Sequence, residues 1–155
     1  MKQAIFPGSF DPFTRAHEDI VRRGMAIFDK IIIAVGENID KKSLLTTDAK
    51  VGLIEEVFAN DGRIEVVRYS GLTATLCRQL SINNILRGVR GGKDFEYESN
   101  IEAINRMLNP EIETIILLTA PEFAAISSSA VREIIHHGGN CEKFMSQGID
   151  LRKYL

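Results

Sequence analysis

The chain has 155 residues, 45% of them apolar, and sets 19 Lys and Arg against 21 Asp and Glu, for a net charge of -2 and a pI near 5.9. That length suits one domain with its own core, and the slightly acidic balance excludes a broad face for duplex nucleic acid. Cys77 and Cys141 are too few for a disulfide framework, Pro7-Gly8 stops the apolar run after Met1 too early for a secretory leader, and no apolar stretch approaches the roughly 20 residues of a membrane span, so a soluble, cytoplasmic protein with no membrane or nucleic-acid partner is expected.

Strand-like and helix-like segments alternate from one end to the other. QAIF (3–6) reads as a strand and leads into a helical pattern through Ile20, Val21, Met25 and Phe28. KIIIAV (30–35) is the second strand, and a helix near 47–59 carries Val51, Leu53, Ile54, Val57 and Phe58. RIEVVRY (63–69) precedes TATLCRQL, and NNILRG (83–88) precedes a helix from about 95 to 108 that stops before Pro110. ETIILLT (113–119) precedes SSAVREIIHHGG, whose double glycine is a helix stop. The strands are short, continuous and β-branched, as strands covered on both faces are. Five βα units predict a single α/β domain over residues 1–155, with a Rossmann-like, doubly wound, parallel five-stranded sheet.

Ligands of open α/β sheets bind beyond the carboxyl ends of the strands, so those ends are where chemistry should concentrate. Ser9 to His17 follow strand one, Lys41 and Lys42 strand two, Arg87 and Arg90 strand four, and Ser127 to Ser129 strand five. Hydroxyls, a histidine and up to four cations on one rim suit a polyanion, most simply phosphate. The familiar phosphate loops do not account for it. The first loop has only Gly8, which excludes a G-x-G-x-x-G fingerprint, and RGVRGGKD (87–94) departs from a Walker pattern at Arg87 and at Asp94. In PGSFDPFTRAH, Gly8 and Ser9 let backbone N–H groups approach a ligand, Pro12 stiffens the turn, and Thr14 is a suitable N-cap. That places His17 in the first helical turn, where backbone donors and imidazole face one anion.

Several residues also carry plainer readings. Lys41 and Lys42 suit solvated loop positions, the acids of DFEYE (94–98) suit a helix start, and the three serines suit an N-cap. HHGGNC lacks the four spaced ligands of a zinc site, and no carboxylate cluster is placed like a metal cage, so no protein-held metal is expected. Cys77 reads as core, and Phe95, Tyr97 and Ile101 as packing or subunit contacts.

FPGSFDPFTRAH (6–17) resembles the T/H-x-G-H nucleotide-binding loop of the nucleotidylyltransferase superfamily, and ISSSAVRE (126–133) its second signature. ILRGVRGGKDFEYE (85–98), with KK at 41–42 and NRML at 105–108, resembles the phosphopantetheine adenylyltransferase family within it. The resemblance implies transfer of AMP from ATP to 4'-phosphopantetheine, giving dephospho-CoA and pyrophosphate, with Mg2+ carried on the ATP. It implies that His17, Lys41 and Arg90 are catalytic and that Ser9 and Phe10 touch both ligands. Further ATP contacts are implied at His17, Gly88, Val89, Arg90, Glu98, Phe123, Ala124, Ala125, Ile126, Ser127, Ser128 and Ser129. Acceptor contacts are implied at Ser9, Lys41, Thr73, Arg87 and Asn105, with Arg87 on the acceptor phosphate. A homohexamer and feedback by coenzyme A belong to the same implication. Two positions depart from the pattern: Ala16 stands where it has Gly, and Ser9 where Thr is commoner. A glycine needed in a left-handed conformation would make Ala16 cost about 1 to 2 kcal/mol, whereas a glycine needed only for close approach would ask for room for one methyl. Two alternatives use the same loops: a sister enzyme acting on nicotinate mononucleotide or a small phosphorylated alcohol, and a module that binds ATP without turnover.

Overall fold

The computed structural model describes residues 1–155. Five parallel strands, β1 (Gln3–Gly8), β2 (Lys30–Gly36), β3 (Ile64–Tyr69), β4 (Asn84–Val89) and β5 (Glu113–Leu118), alternate with α1 (Arg15–Gly24), α2 (Thr47–Val57), α3 (Thr73–Leu80), α4 (Gly92–Leu108) and α5 (Ser128–His136). The sheet order is β3-β2-β1-β4-β5, so the α/β class and the doubly wound parallel sheet expected from the alternation are both present. The order reverses between β1 and β4. These two strands meet through the single register pair Ile5 and Ile85, whereas β1 and β2 are paired along their whole length from Gln3 with Lys30 to Gly8 with Val35. Beyond that loosely zipped seam the loops leaving β1 and β4 diverge, which is the switch point where a ligand fits.

One face of the sheet carries the larger core, in which Ile20 and Val21 of α1, Leu53 and Ile54 of α2 and Val131 of α5 pack on Phe6, Ile31, Ile33 and Leu86. The opposite face is smaller and joins Ile5, Ile32 and Ile85 to Ala74, Leu76 and Cys77 of α3. Cys77 is core, as its apolar helical setting implies. Close packing at the seam depends on glycine. A Cβ on Gly88 of β4 would sit 2.8 Å from Cγ1 of the buried Ile20, and one on Gly24 would sit 2.7 Å from Leu86, so α1 lies against the sheet at a distance only glycine permits.

Some element bounds and exposures differ from expectation. Helix α1 ends at Gly24, and Met25 and Phe28 reach the core from the turn that follows. Helix α4 begins at Gly92, a full turn early, with Asp94 in its first turn, where the helix dipole favours an acid. Cover on both faces holds for β1 and β2 but not for the edge strands β3 and β5, most of whose residues stay partly exposed because an edge strand has a neighbour on one side only and less helix above it. The stop after α5 is as read. Gly138 takes φ +73, its N–H bonds to Ile135 and that of Gly139 to Ile134, the two bonds of a Schellman motif. No helix is long and apolar enough to cross a membrane.

Replacing Gly88 with Ala forces Ile20 off its seat, and overpacking of this kind costs about 1 to 3 kcal/mol. Urea unfolding of Gly88→Ala should show that loss as a lower midpoint with an unchanged slope; an unchanged midpoint would mean that α1 is free to move outward.

Candidate active site

The loop from Ser9 to Thr14 reaches into every element that borders the seam. Phe10 sits at φ +49, a left-handed conformation that costs a non-glycine residue about 1 kcal/mol or more. Its ring is buried against Phe6 and Phe13, with centroids 5.3 Å away in each case, and burial of that aromatic surface offsets the strain. Gly8 is required for this packing, because a Cβ there would lie 2.8 Å from two atoms of the Phe10 ring. The glycine therefore admits a neighbouring side chain, which differs from the role of admitting a ligand that its position in a turn suggests. Asp11 is buried, and its two carboxylate oxygens accept the N–H groups of Leu44 at 2.8 Å and Leu45 at 2.9 Å, which anchors the segment carrying Lys41. The Asp11 carbonyl accepts from Arg132 at 2.7 Å and the Pro12 carbonyl from the Ser128 hydroxyl at 2.7 Å, which holds α5 against the same loop.

Thr14 caps α1 and fixes His17. The Thr14 N–H donates to His17 Nδ1 at 2.9 Å, and the Thr14 hydroxyl lies 3.0 Å from the same nitrogen. A nitrogen that accepts an N–H carries no proton, so the neutral ring holds its hydrogen on Nε2. Phe10 and Phe13 each approach the imidazole with centroids 5.2 Å away. Burial first, then the charges of Arg87 and Arg90, bring the His17 pKa from its ordinary 6.5 down to about 3. At neutral pH His17 is an uncharged donor. Ala16, just before it, has right-handed helical backbone and lines the cavity, so its methyl brings no backbone strain and the left-handed alternative is excluded.

The two arginines of β4 and its loop are held differently. Arg87 donates from Nε to Glu98 at 2.8 Å and from Nη2 at 2.5 Å, and its Nη1 bonds the Pro7 carbonyl. This fork leaves one N–H on each terminal nitrogen for a ligand. Arg90 is more exposed and pairs with Asp94 at 3.0 Å, which holds the Asp94 carboxyl below the usual range. Ser127 Oγ caps α5 through Ala130 N–H, and Ser129 Oγ accepts from Arg132.

Two cavities open at the carboxyl ends of the strands and share Gly8, Ser9, Arg87, Tyr97 and Glu98. One, of about 360 Å³, is lined also by Phe10, His17, Lys41, Gly88, Arg90, Ile126 and Ser127 to Ser129. The other, of about 530 Å³, is lined by Thr73, Asn105, Tyr69, Glu102 and Thr114. Most of the residues singled out by the sequence are thus brought together, and in two groups, with Arg87 between them. Four are not on the walls: Val89 is buried, and Phe123, Ala124 and Ala125 lie on the loop that leads to Ile126. Of the lysine pair, Lys41 lines the first cavity and Lys42 does not. Two cations went unnoticed in the sequence, Lys50 and Arg132, both on the first cavity's wall. Arg132 falls within the SSAVRE motif; Lys50 sits inside a helix between Ala49 and Val51, and nothing local marks it. No group of three His, Cys, Asp or Glu is arranged to hold a metal ion.

The model of the cytidylyltransferase-like family matches residues 5–134. Curated relatives include the phosphopantetheine adenylyltransferase of Flavobacterium johnsoniae, 44% identical over 99% of this chain and 100% of the relative. The protein of that name from Porphyromonas gingivalis is 45% identical over 96% of each chain, and that from Thioalkalivibrio sulfidiphilus is 43% identical over 92% of this chain and 90% of its own.

Between about pH 3 and 6.5 the folded His17 binds no proton while the unfolded one does, so its contribution to stability is complete above about pH 6.5 and is lost as the pH falls towards 3. The slope from this one group is about 1.4 kcal/mol per pH unit. The difference in unfolding free energy between wild type and His17→Gln should follow that slope between about pH 4 and 6; a difference independent of pH would show that the folded ring protonates freely.

Proposed function

The chain belongs to the cytidylyltransferase-like family, among its phosphopantetheine adenylyltransferases, and on that premise we propose that it transfers the adenylyl group of ATP to 4'-phosphopantetheine, giving dephospho-CoA and pyrophosphate. The observation that carries the reading is the pair of cavities meeting at Arg87: one walled by His17, Lys41, Arg90 and the serines of α5, the other by Thr73 and Asn105. A nucleotide triphosphate suits the first, with its cations and helix N-termini. The phosphate end of the acceptor suits Arg87, and its uncharged amide arm suits the second.

In this reading an oxygen of the acceptor phosphate attacks the α-phosphorus of ATP, the bond from that phosphorus to the α–β bridging oxygen breaks, and pyrophosphate departs. The attacking oxygen is already anionic at neutral pH, so no base is needed. The tautomer of His17 agrees, since an Nε2 that bears hydrogen donates and cannot accept a proton. Its N–H is placed to hold a non-bridging oxygen on the α-phosphate as negative charge shifts there, while Lys41 and Arg90 offset charge on the phosphates. Being neutral, His17 adds no cost of burying a charge, and its orientation is fixed before substrate arrives.

Mg2+ accompanies ATP in this proposal and helps neutralise it. The cavity's carboxylates are engaged already, Asp11 by two amides, Asp94 by Arg90 and Glu98 by Arg87, so the ion suits phosphate oxygens and water as ligands. Coenzyme A carries the same pantetheine arm and would compete for the second cavity, which makes feedback part of the proposal. A cytoplasmic location follows from the ATP and from the metabolic step. A homohexamer is the proposed assembly, supported by α4, on which Ile104 and Met107, neighbours on one side of the helix, are 54% and 85% exposed with nothing to cover them, while Phe95, half a turn round from Ile104, is 54% exposed.

Pyrophosphate release should occur with ATP, Mg2+ and 4'-phosphopantetheine, and not with nicotinate mononucleotide or without acceptor; ATP binding with no release under any condition would leave a binding module instead. His17→Ala should lower kcat by roughly a hundredfold or more with a smaller change in ATP affinity, because the contact strengthens in the transition state. Arg87→Ala should raise the KM for the acceptor, and an effect confined to ATP would overturn its placement. Sedimentation should show Ile104→Asp shifted to smaller species; an unshifted assembly would place the interface elsewhere.

A further inference from the structure

Lys50 lies in the first turns of α2 and is only 4% exposed, yet it forms part of the wall of the 360 Å³ cavity. Its ammonium has three N–H donors, and its one side-chain partner is the hydroxyl of Ser43, at a long 3.4 Å. It forms no ion pair, since no carboxylate oxygen stands within 4.0 Å of it. Buried lysines are ordinarily paired, because a desolvated charge without a partner is costly. The acid whose charge it feels is Asp11, and both oxygens of Asp11 are taken by the amides of Leu44 and Leu45. Burial first, with Lys41 and Arg132 adding repulsion, lowers the Lys50 pKa against the opposing pull of Asp11. Three cations from three different elements thus face one space around a carboxylate that is already occupied. What this arrangement lacks is a second anion, with oxygens free to accept.

We propose that Lys50 is a phosphate-binding residue of this site, its ammonium completed by an oxygen of the polyphosphate chain of the bound nucleotide. The inference rests on the reading of the cavity as a nucleotide triphosphate site. The cavity then has two cationic sides. Arg87 and Arg90 act on His17, while Lys41 and Arg132 act on Lys50, so the chain of phosphates spans between the two sets. An unpaired buried lysine weakens the ligand-free fold and strengthens the complex, which separates this role from that of a merely structural lysine.

The full-length chain is titrated calorimetrically with ATP and with inorganic tripolyphosphate, as wild type, Lys50→Met and Lys50→Arg, and the ligand-free Tm of each is recorded. Lys50→Met should bind both ligands at least about tenfold more weakly, equivalent to about 1.4 kcal/mol, with a Tm equal to or above that of wild type. Lys50→Arg, which keeps the charge, should stay within a few-fold. Lys50→Met with wild-type affinity, or with a lower Tm and wild-type affinity, would overturn the proposal. On the wild-type chain alone, the Lys50 Nζ resonance in lysine-labelled protein should shift on adding tripolyphosphate, which decides the matter even if the methionine variant does not fold; an unmoved resonance would refute it. Wild type that binds neither ligand would bring down the adenylyl-transfer reading as well, whereas binding with Lys50 indifferent removes Lys50 alone.

Discussion

The site depends on how the loop between β1 and α1 is held. Backbone carbonyls of this loop and of the end of β1 that leads into it, with one buried carboxylate, are the acceptors to which the other site-bearing segments tie themselves. Pro7 receives Arg87 of β4, the Asp11 carboxylate receives the amides beyond β2, and the Asp11 and Pro12 carbonyls receive Arg132 and Ser128 of α5. Each bond stabilises the fold modestly, by about 1 kcal/mol or up to about 3 where a charge takes part. Together they relate three segments to one loop. Preorganisation of charged groups around a phosphate needs this, since the groups must be in place before charge moves and not gathered by it.

The same loop explains how a chain can hold so many cations near one cavity without unfolding. His17 removes itself from the charge count by staying neutral, which follows from its packing among phenylalanines and from Thr14 donating to its Nδ1. Arg87 and Arg90 are each compensated by a carboxylate from the first two turns of α4, Glu98 and Asp94. Arg132 spends its donors on the loop and on Ser129. Those partners are neutral, so the remaining uncompensated charge is that of Lys41, Lys50 and Arg132. A ligand rich in negative oxygen, such as the proposed polyphosphate, would complete these electrostatics and offset the cost of that charge.

The strands and their order of occurrence were legible because continuous β-branched runs separated by helical patterns admit few other folds, and the strand-end rule then placed Ser9, His17, Lys41, Arg87, Arg90 and Ser127 to Ser129 on one rim. Where side chains settle in space was not legible. Gly8 looks like an ordinary turn glycine until the Phe10 ring is seen lying across it, and Lys50 looks solvated until α2 is seen turning it inward. The Arg87–Glu98 fork joins a strand to the helix after it, and its geometry appears only when β4 and α4 are set side by side. Resemblance singled out both positions; it did not say that Glu98 steadies Arg87.

Helix α4 inverts the usual division of a helix, and that inversion links the cavity to the outside of the protein. Its buried residues are polar, Glu98 at 5% and Asn105 at 8% exposure, while Phe95, Ile104 and Met107 point to solvent. A helix normally buries its apolar stripe and leaves the charges outside. Here the inner side faces the two cavities, where Glu98 braces Arg87 and Asn105 lines the 530 Å³ one, so the apolar residues have no place in this chain's own core. A second copy covering those apolar residues, as proposed above, would bear on the same helix as Glu98, which stands about two and a half turns from Met107, and through it on the arginine between the two cavities. In the proposed assembly a single helix would join the subunit contact to the two cavities, because its polar residues face inward to the cavities and its apolar ones outward to solvent.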